Sequence, residues 1–353
     1  MSTLNLIISG IFHVIKNYIY RTKIVYIVEN ENWSIKHDGI SITKNLNLKS
    51  KITTTHYGIR NSIVHYGYIN IFFRESNRTL RLPHKSNKII VTWFHIAPDV
   101  AFLDYIPEAI KYVDFWHTSC QLTKNEMITF GVPEEKIVVI PLGVSTKVFS
   151  PPLLEEKMYL REKFGIDNKK IVIGSYQKDG IGWEEGLTPK LIKGPDIFCD
   201  VVENLAKKID IFVLLTGPAR GYVKKRLEKA GIPYHYDFLD NPDELAPYYK
   251  VTDLYIVTSR AEGGPKQILE SMASGVPVIS TCVGMAPDVI IDGENGFIVE
   301  VEDVKALTQR ALQILDNESM RRDMISMGLK TVEQYDWSII AKQYQEKLYK
   351  EIS

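Results

Sequence analysis

Hydrophobic positions along the chain alternate between short β-type runs and helical stretches with one apolar face. In the first part of the chain, helical patterns at 124–130 and from about Ile40 lie between the β-type runs. Strands that alternate with helices predict parallel βαβ units, and the β-rich first hundred residues leave room for an extra hairpin. The predicted strands here are 23–28, 63–73, 88–94, 113–118 and 136–140.

The alternation becomes more regular after 144–152 (VSTKVFSPP), where adjacent prolines end regular structure. We therefore predict an α/β fold with two doubly wound, Rossmann-like domains facing a cleft, in which ligands bind at the carboxyl ends of the strands. Beyond the prolines, the predicted strands are 170–174, 211–216, 254–257 and 277–280, and the predicted helices are 196–207, 221–230, 242–250, 265–274 and those beginning near Val304, Glu318 and Trp337.

Residues 4–19 form the longest apolar stretch, and their hydrophobic positions fall on one side of a helix. The stretch is too short and too polar on its second face to span a membrane, and it lacks the features of a signal peptide. It predicts an added amphipathic helix that docks on its own domain or lies on an anionic membrane surface. We expect a cytoplasmic protein, with peripheral membrane association left open. The predicted domains are 1–22 (helix), 23–148 and 149–335 (the two Rossmann-like domains) and 336–353 (a final helix).

The composition is that of an ordinary globular chain, with 45% hydrophobic and 24% charged residues. Forty-three basic and 43 acidic residues give zero net charge, which argues against a nucleic-acid partner. The charge is nevertheless divided: residues 1–100 hold 13 Lys and Arg against 5 Asp and Glu, which suggests an anionic partner there. The three cysteines are far apart and no HExxH pair occurs, so we expect no metal site.

The segment 258–277 (TSRAEGGPKQILESMASGVP) carries the clearest candidate chemistry. Glu262 stands at the tip of a turn after a strand, and a helix is predicted from the proline that follows two glycines. The amides and positive dipole of a helix start form an anion site, and Gly263 and Gly264 allow close approach of a phosphate. Eight residues place Glu270 about two turns into the helix, so the second carboxylate would lie deeper along the same ligand.

This segment resembles the signature of the retaining GT-B glycosyltransferases of the family-4 type (glycosyl transferases group 1), E-G-x-G-x-x-x-x-E. The chain reads E-G-G-P-K-Q-I-L-E over 262–270. The similarity continues at 284–288 (GMAPD), 292–299 (DGENGFIV) and 335–337 (YDW), and upstream at 136–144 (KIVVIPLGV). It covers roughly residues 90–350. It implies that 23–148 is the acceptor side, that 149–335 binds the nucleotide sugar, and that the helix 336–353 crosses back to the first domain.

The resemblance implies which part of the donor each matching residue binds. It implies that Glu270 accepts hydrogen bonds from the nucleotide ribose and that Glu262 lies by the hexose hydroxyls near the reacting carbon. The diphosphate would be held by the backbone around Gly264, Pro265, Lys266 and Gln267, with Gly263 beside them.

The family also places two cations on the diphosphate, a lysine and an arginine. Lys193, directly before a glycine that opens a helix, matches the lysine. Ser175 stands at the arginine position, and an insertion rich in Gly and Trp follows it. Lys178 or Lys190 would then supply the second charge.

Other positions resemble the family less closely. His95 resembles a histidine that reaches the donor sugar, although a buried structural histidine is the alternative. Gly217 matches a turn at the cleft, and Phe238, in 236–239, lies where the base would be held.

The first domain offers few clues to an acceptor. Where the family has a glycine-rich loop, residues 29–39 contain one glycine. Trp33, Lys36 and Asp38 are the candidate acceptor-side residues in this segment.

The resemblance implies transfer of a hexose from a UDP- or GDP-sugar to a glycan or lipid-linked acceptor in polysaccharide synthesis, with retained configuration. The departing phosphate would help to deprotonate the acceptor, and no metal or other cofactor would be needed. The alternatives are a sugar-nucleotide epimerase or phosphorylase of the same fold, or a non-catalytic transferase-like subunit that binds a partner or a membrane.

Overall fold

The structure, a computed structural model, describes residues 23–30, 34–74, 79–95 and 101–352. The chain divides into two compact units. The first comprises the described residues up to Gly143 together with those from Trp337 onward, and the second is Val144–Asp336. The predicted helix at 4–19 and the candidate Trp33 lie outside the described residues.

The first unit is built on a six-stranded parallel sheet of order β2-β1-β3-β6-β7-β8. Two further short strands, β4 and β5, pair antiparallel as a hairpin of the kind the sequence leaves room for. Strands β1 and β3 are buried along their whole length, as expected of a parallel sheet covered on both faces. The strands are β1 (Ile24–Ile27), β2 (Ser50–Thr53), β3 (Ile63–Tyr66), β4 (Phe73–Arg74), β5 (Thr79–Leu80), β6 (Lys88–Thr92), β7 (Phe115–Thr118) and β8 (Ile137–Val139).

Two predictions for this unit need correction. The strand predicted over 63–73 ends at Tyr66 and is followed by a single helical turn, because Gly67 interrupts the run and weakens it as a strand. The helix predicted from about Ile40 is already helical at Ser34, since its first turn is polar and gives no hydrophobic signal. The helices are α1 (Ser34–Asn45), α2 (Ile69–Phe72), α3 (Ile106–Ala109) and α4 (Gln121–Thr129).

The second unit is a six-stranded parallel sheet of order β11-β10-β9-β12-β13-β14. The chain runs outward from β9 through β10 to β11 and then returns to add β12 on the other side of β9. This makes β9 and β12 the topological switch point, where open α/β sheets bind ligands. The strands are β9 (Ile171–Tyr176), β10 (Ile211–Thr216), β11 (Tyr234–Asp237), β12 (Leu254–Val257), β13 (Val278–Thr281) and β14 (Phe297–Val299).

Helices pack on one face of this second sheet and bury the apolar side chains of that face in one continuous core. Helix α6 illustrates the rule, since seven of its twelve residues are buried and its apolar side faces the sheet. The helices are α5 (Leu154–Lys163), α6 (Pro195–Ala206), α7 (Gly221–Ala230), α8 (Ala246–Val251), α9 (Gln267–Ala273), α10 (Ala286–Val289), α11 (Val304–Asp316) and α12 (Glu318–Val332).

The chain returns to the first unit as α13 (Trp337–Tyr344), which continues as a π-helical turn over Gln345–Tyr349. A buried polar network fastens this terminal segment to the sheet. The Tyr349 hydroxyl lies 2.8 Å from His65 Nδ1, and the Tyr344 hydroxyl lies 3.0 Å from His117 Nε2. Thr92 Oγ1 joins the two histidine rings, at 2.8 Å from His65 and 2.9 Å from His117.

Candidate functional site

The residues that match the glycosyltransferase signature converge at the carboxyl ends of β9 and β12. The loop after β12 carries Glu262 and leads into α9. The loop after β9 is longer; it ends in a 3₁₀ turn, Leu191–Lys193, which leads into α6. The switch point of the sheet therefore brings together two segments separated by about seventy residues.

Lys193 and Glu262 form the central contact of this site. Lys193 Nζ donates to Glu262 Oε1 at 2.5 Å, and the Ser259 hydroxyl donates to the same oxygen at 2.9 Å. The Lys193 side chain is 23% exposed and the Glu262 side chain 12%, so the ion pair is mostly buried but can still be reached from solvent. Within the described residues no contact engages Glu262 Oε2, which leaves that oxygen available to a ligand.

Hydrogen bonds and an ion pair from side chains of the loop after β12 hold the two loops together. The Arg260 guanidinium forms a two-pronged ion pair with Asp196, at 2.9 and 2.7 Å, and donates to the Leu191 carbonyl at 2.6 Å. The Thr258 hydroxyl donates to the Gly194 carbonyl at 2.9 Å. These contacts fix the 3₁₀ turn against the loop after β12 and so place the ammonium of Lys193.

Gly194 is required by this close approach. Its φ is +61°, in the left-handed region, and a Cβ there would meet the Thr258 carbonyl oxygen at 1.9 Å. No side chain fits between the two loops at this point. In the Lys-Gly pair of the sequence, the lysine therefore supplies the charge and the glycine allows the close packing.

Glu270 lies in the first turn of α9, and not two turns into a helix as the spacing predicts. The reason is that residues 265 and 266 precede the helix, which begins at Gln267. The Tyr249 hydroxyl donates to Glu270 Oε2 at 3.0 Å, and burial together with the charge of Glu270 raises the pKa of Tyr249 well above its usual value. Tyr249 is thus a fixed donor that orients the carboxylate.

The short turn between Glu262 and α9 is closely packed. A Cβ on Gly284 would lie 2.6 Å from the Gly263 carbonyl, so the loop after β13 presses on this turn. The Gln267 side chain donates to the Tyr176 carbonyl at 3.3 Å, which ties the helix start to the end of β9. Of the other donor-binding candidates in this turn, Pro265 is buried, and Gly264 and Lys266 are half-buried.

Ser175 stands at the position where the family has an arginine, and the side chain of Arg220 binds it. Arg220 Nη2 donates to Ser175 Oγ at 2.9 Å, and Nη1 donates to the carbonyls of Ser175, Gln177 and Thr216 at 2.7–2.9 Å. The same guanidinium lies 3.0 Å from Asp179 Oδ2, and both side chains are fully buried. Burial raises the pKa of Asp179, and the Arg220 charge opposes that rise. Arg220 was not predicted as a site residue, because it belongs to no hydrophobic pattern or motif of the sequence.

The remaining second-unit candidates line the same end of the sheet or its margin. Lys178 follows β9, and its ammonium lies 3.7 Å from the ring centroid of Trp183. Gly217, with a φ of +94°, would clash through a Cβ with the Gln177 carbonyl at 2.6 Å. Phe238 follows β11 and is 57% exposed.

Three candidates lie in the first unit. His95 follows β6, and the Trp93 indole donates to its carbonyl at 3.2 Å. Lys36 lies on α1, where its ammonium is 3.5 Å from the Asn30 carbonyl. Asp38, also on α1, is buried, and its negative charge contributes to the raised pKa of Tyr344.

The described residues contain no helix that is long and apolar enough to cross a membrane. Within the same residues, no three or more His, Cys, Asp or Glu side chains cluster so as to hold a metal ion.

Comparison with known proteins agrees with this geometry. Residues 187–331, which contain Lys193, Glu262 and Glu270, match the family described as glycosyl transferases group 1. The chain carries a group 1 glycosyltransferase domain in a GT-B fold. The resemblance drawn from the signature residues is thereby confirmed, as are the two α/β sheets.

Curated relatives share part of their length with the chain. It is 29% identical over 189 residues to the lipopolysaccharide core biosynthesis mannosyltransferase LpsB of Rhizobium meliloti, covering 51% of this chain and 50% of that protein. It is 32% identical over 156 residues to the N-acetyl-alpha-D-glucosaminyl L-malate synthase of Bacillus anthracis, covering 42% and 41%. The chain thus spans about half the length of the curated relatives it matches.

Solved structures match almost the whole chain. HepE of Anabaena, in complex with UDP and glucose, has a TM-score of 0.73 at 16% identity, over 93% of this chain and 99% of that one. A glycosyltransferase from Rickettsia africae has a TM-score of 0.71 at 17% identity, over 94% and 98%. At this identity the likeness shows the fold.

Proposed function

We propose that the protein is a retaining glycosyltransferase that moves a hexose from a nucleoside-diphosphate sugar to a glycan or lipid-linked acceptor. The observation that carries this proposal is the shielded ion pair of Lys193 and Glu262 at the switch point, with Glu270 at the start of the adjoining helix. A cation paired with one carboxylate, with a second carboxylate at the start of the adjoining helix, suits a ligand that carries a sugar, phosphates and a ribose.

A UDP-sugar is the first donor to test. HepE of Anabaena, which shares the fold, has been solved with UDP and with UDP-glucose. The names of the curated relatives include a mannosyltransferase and an N-acetylglucosaminyl L-malate synthase, so mannose, glucose and N-acetylglucosamine donors belong in the same panel.

In the proposed reaction the Lys193 ammonium leaves Glu262 for a phosphate oxygen. It then stabilises the negative charge that grows on the diphosphate as the glycosidic bond breaks, a type of contribution that is commonly worth about 10²–10³ in rate. Glu262, released from the lysine, accepts hydrogen bonds from the hexose hydroxyls, while Ser259 holds its Oε1. The departing phosphate receives the acceptor proton. We expect no need for a divalent metal ion, and activity retained in EDTA checks this.

The acceptor and the cellular location stay predictions from the sequence. The LpsB relative acts in lipopolysaccharide core biosynthesis, which supports a glycan or lipid-linked acceptor. Association with an anionic membrane through residues 4–19 would appear as flotation with anionic liposomes that is lost when residues 1–21 are removed.

The decisive experiment is a thermal-shift panel of UDP-, GDP- and ADP-sugars, because a ligand that binds the native state raises the melting temperature. The sugar nucleotide that stabilises the protein is then incubated with it, and slow release of free nucleotide that accelerates with acceptor supports transfer. Release without dependence on acceptor would favour the epimerase. Inertness toward every donor would contradict the proposal and favour a non-catalytic subunit. The anomeric configuration of the product, read by NMR, tests retention.

A further inference from the structure

The loop between β9 and the 3₁₀ turn carries an insertion, residues 180–190, that is built as a fixed part of the second unit. Within it, the Ile181 amide donates to the Thr188 carbonyl at 2.9 Å, and Gly180 and Pro189 form an antiparallel bridge. The segment is therefore a closed hairpin-like loop with its two ends side by side.

The far end of this loop covers the start of α7. The amides of Gly221 and Tyr222 donate to the carbonyls of Glu185 and Gly186 at 2.6 and 3.0 Å, which satisfies two donors of the helix terminus. A Cβ on Gly186 would lie 2.3 Å from the Ala219 carbonyl, so the loop lies directly against the chain there.

The near end rests on the buried ion pair of Arg220 and Asp179. The Lys190 amide donates to the Asp179 carbonyl at 2.7 Å, and the Lys193 amide donates to the Lys190 carbonyl at 2.8 Å. Lys190 is thus linked to the buried Asp179 on one side and to Lys193 on the other.

Lys190 immediately precedes the 3₁₀ turn Leu191–Lys193, three residues before Lys193. The Lys193 amide closes this turn on the Lys190 carbonyl, so the backbone brings the two lysines to the two ends of one tight turn. Lys190 is exposed, and partial desolvation together with the positive charges of Lys193 and Lys178 lowers its pKa, while the charge of Glu262 acts in the opposite direction. Lys190 therefore lies within electrostatic reach of Lys193 and Glu262.

Within the described residues no ion pair joins Lys190 to a carboxylate. Lys178 differs in this respect, because its ammonium is already placed over the Trp183 ring. Since Lys193 is already paired with Glu262, Lys190 is the lysine whose charge stays available for a second phosphate.

We propose that Lys190 is the second phosphate-binding cation of this site, delivered by the inserted loop in place of the arginine that Ser175 replaces. This inference rests on the proposed function, since it specifies how the same site holds the donor diphosphate. Arg220 and Asp179 act as positioning residues: they fix the base of the loop and do not contact the ligand.

The test uses the full-length protein and measures binding of UDP, GDP and ADP by isothermal titration calorimetry, continuing with whichever binds wild type most tightly. Lys190→Ala is compared with Lys190→Arg, Lys193→Ala and Lys178→Ala. Lys229→Ala, an exposed lysine near the end of α7, is the matched control. Lys190→Ala should weaken diphosphate binding roughly tenfold or more, as expected for one charge-assisted hydrogen bond, and Lys190→Arg should restore most of it. Binding of the corresponding nucleoside, followed by NMR titration, should be unchanged.

The outcomes separate this inference from the proposed function. If wild type binds none of the three diphosphates, the proposed function itself fails. If wild type binds and Lys193→Ala is weakened, but Lys190→Ala behaves like Lys229→Ala, only the inference is overturned. It is likewise overturned if the loss appears in Lys178→Ala instead, or if Lys190→Ala weakens nucleoside and diphosphate equally.

Discussion

Lys193 Nζ and Glu262 Oε1 lie 2.5 Å apart, although about seventy residues separate them in the chain. The pair joins the ends of two neighbouring strands, β9 and β12, through the loops that follow them. In the absence of ligand each charge neutralises the other, so neither remains unpaired at a partly buried position. A bound phosphate would take the cation and leave the carboxylate to the sugar.

Lys193→Ala should lower turnover about 10²–10³-fold, because the charge on the leaving diphosphate loses its main stabilising group. The fall should appear mainly in kcat, measured with the donor identified by thermal shift. Lys170→Ala is the matched control: Lys170 also forms a 2.5 Å ion pair, with Asp210, and is 24% exposed, but it lies at the opposite end of the sheet. Equal rates in the two variants would remove the proposed role of Lys193.

Glu270→Ala should weaken binding of nucleoside and nucleoside diphosphate alike, since its proposed partner is the ribose. Tyr249→Phe removes the hydroxyl that orients this carboxylate and should give a smaller loss of the same kind. Titration calorimetry with both ligands checks the pattern. A defect confined to the diphosphate would instead assign Glu270 to the phosphates.

Gly194→Ala should both destabilise the protein and reduce turnover. The new Cβ would meet the Thr258 carbonyl at 1.9 Å, so the turn that carries Lys193 must move. Gly231→Ala is the control, because Gly231 has a similar φ of +67° with nothing within 4 Å of the added atom. The control should cost about 1–2 kcal/mol from backbone strain alone and leave turnover intact. Similar unfolding free energies and rates in both variants would contradict the packing argument.

The fold could be predicted from the sequence wherever strands are buried. β10, β12 and α7 begin and end where the hydrophobic pattern places them. In the two six-stranded sheets, the strands that escaped prediction are β2, β11 and β14, which all lie at sheet edges. An edge strand has fewer neighbours and is short, so its sequence carries neither a long apolar run nor a clear alternation.

The candidate site was predictable where a motif fixes the spacing, as for Lys193, Glu262 and Glu270. The residues that orient them were not, because Tyr249 and Ser259 belong to no recognisable pattern and meet their partners only in the folded chain. Arg220 is the clearest example: a buried guanidinium that binds three carbonyls and a carboxylate looks in sequence like any surface arginine.

The buried histidines of the first unit should make its stability depend on pH. Burial lowers the pKa of His117 from 6.5 to about 4, and burial together with the charge of His117 lowers the pKa of His65 well below 6.5. Below pH 6.5 the unfolded chain therefore binds protons that the folded chain excludes. The stability that the two neutral histidines contribute is complete above that pH and is lost as the pH falls toward 4. For His117 the loss is about 2 kcal/mol between pH 7 and pH 5, and His65 adds to it.

Urea unfolding of wild type at pH 7, 6 and 5 measures this loss, and His117→Gln should remove the part that comes from His117. Glutamine can donate to the Ile140 carbonyl, which lies 3.0 Å from His117 Nε2, but it does not titrate. The control is His84→Gln at an exposed position, and its unfolding free energy should change with pH as that of wild type does. Because both histidines bond to tyrosines of the terminal segment, proton uptake should loosen Gln345–Tyr349 first. Faster amide exchange in Gln345–Tyr349 at pH 5 than at pH 7, after correction for intrinsic rates, would support loosening of this segment first. If His117→Gln loses stability with falling pH as steeply as wild type, the histidine pair is not the cause of the pH dependence.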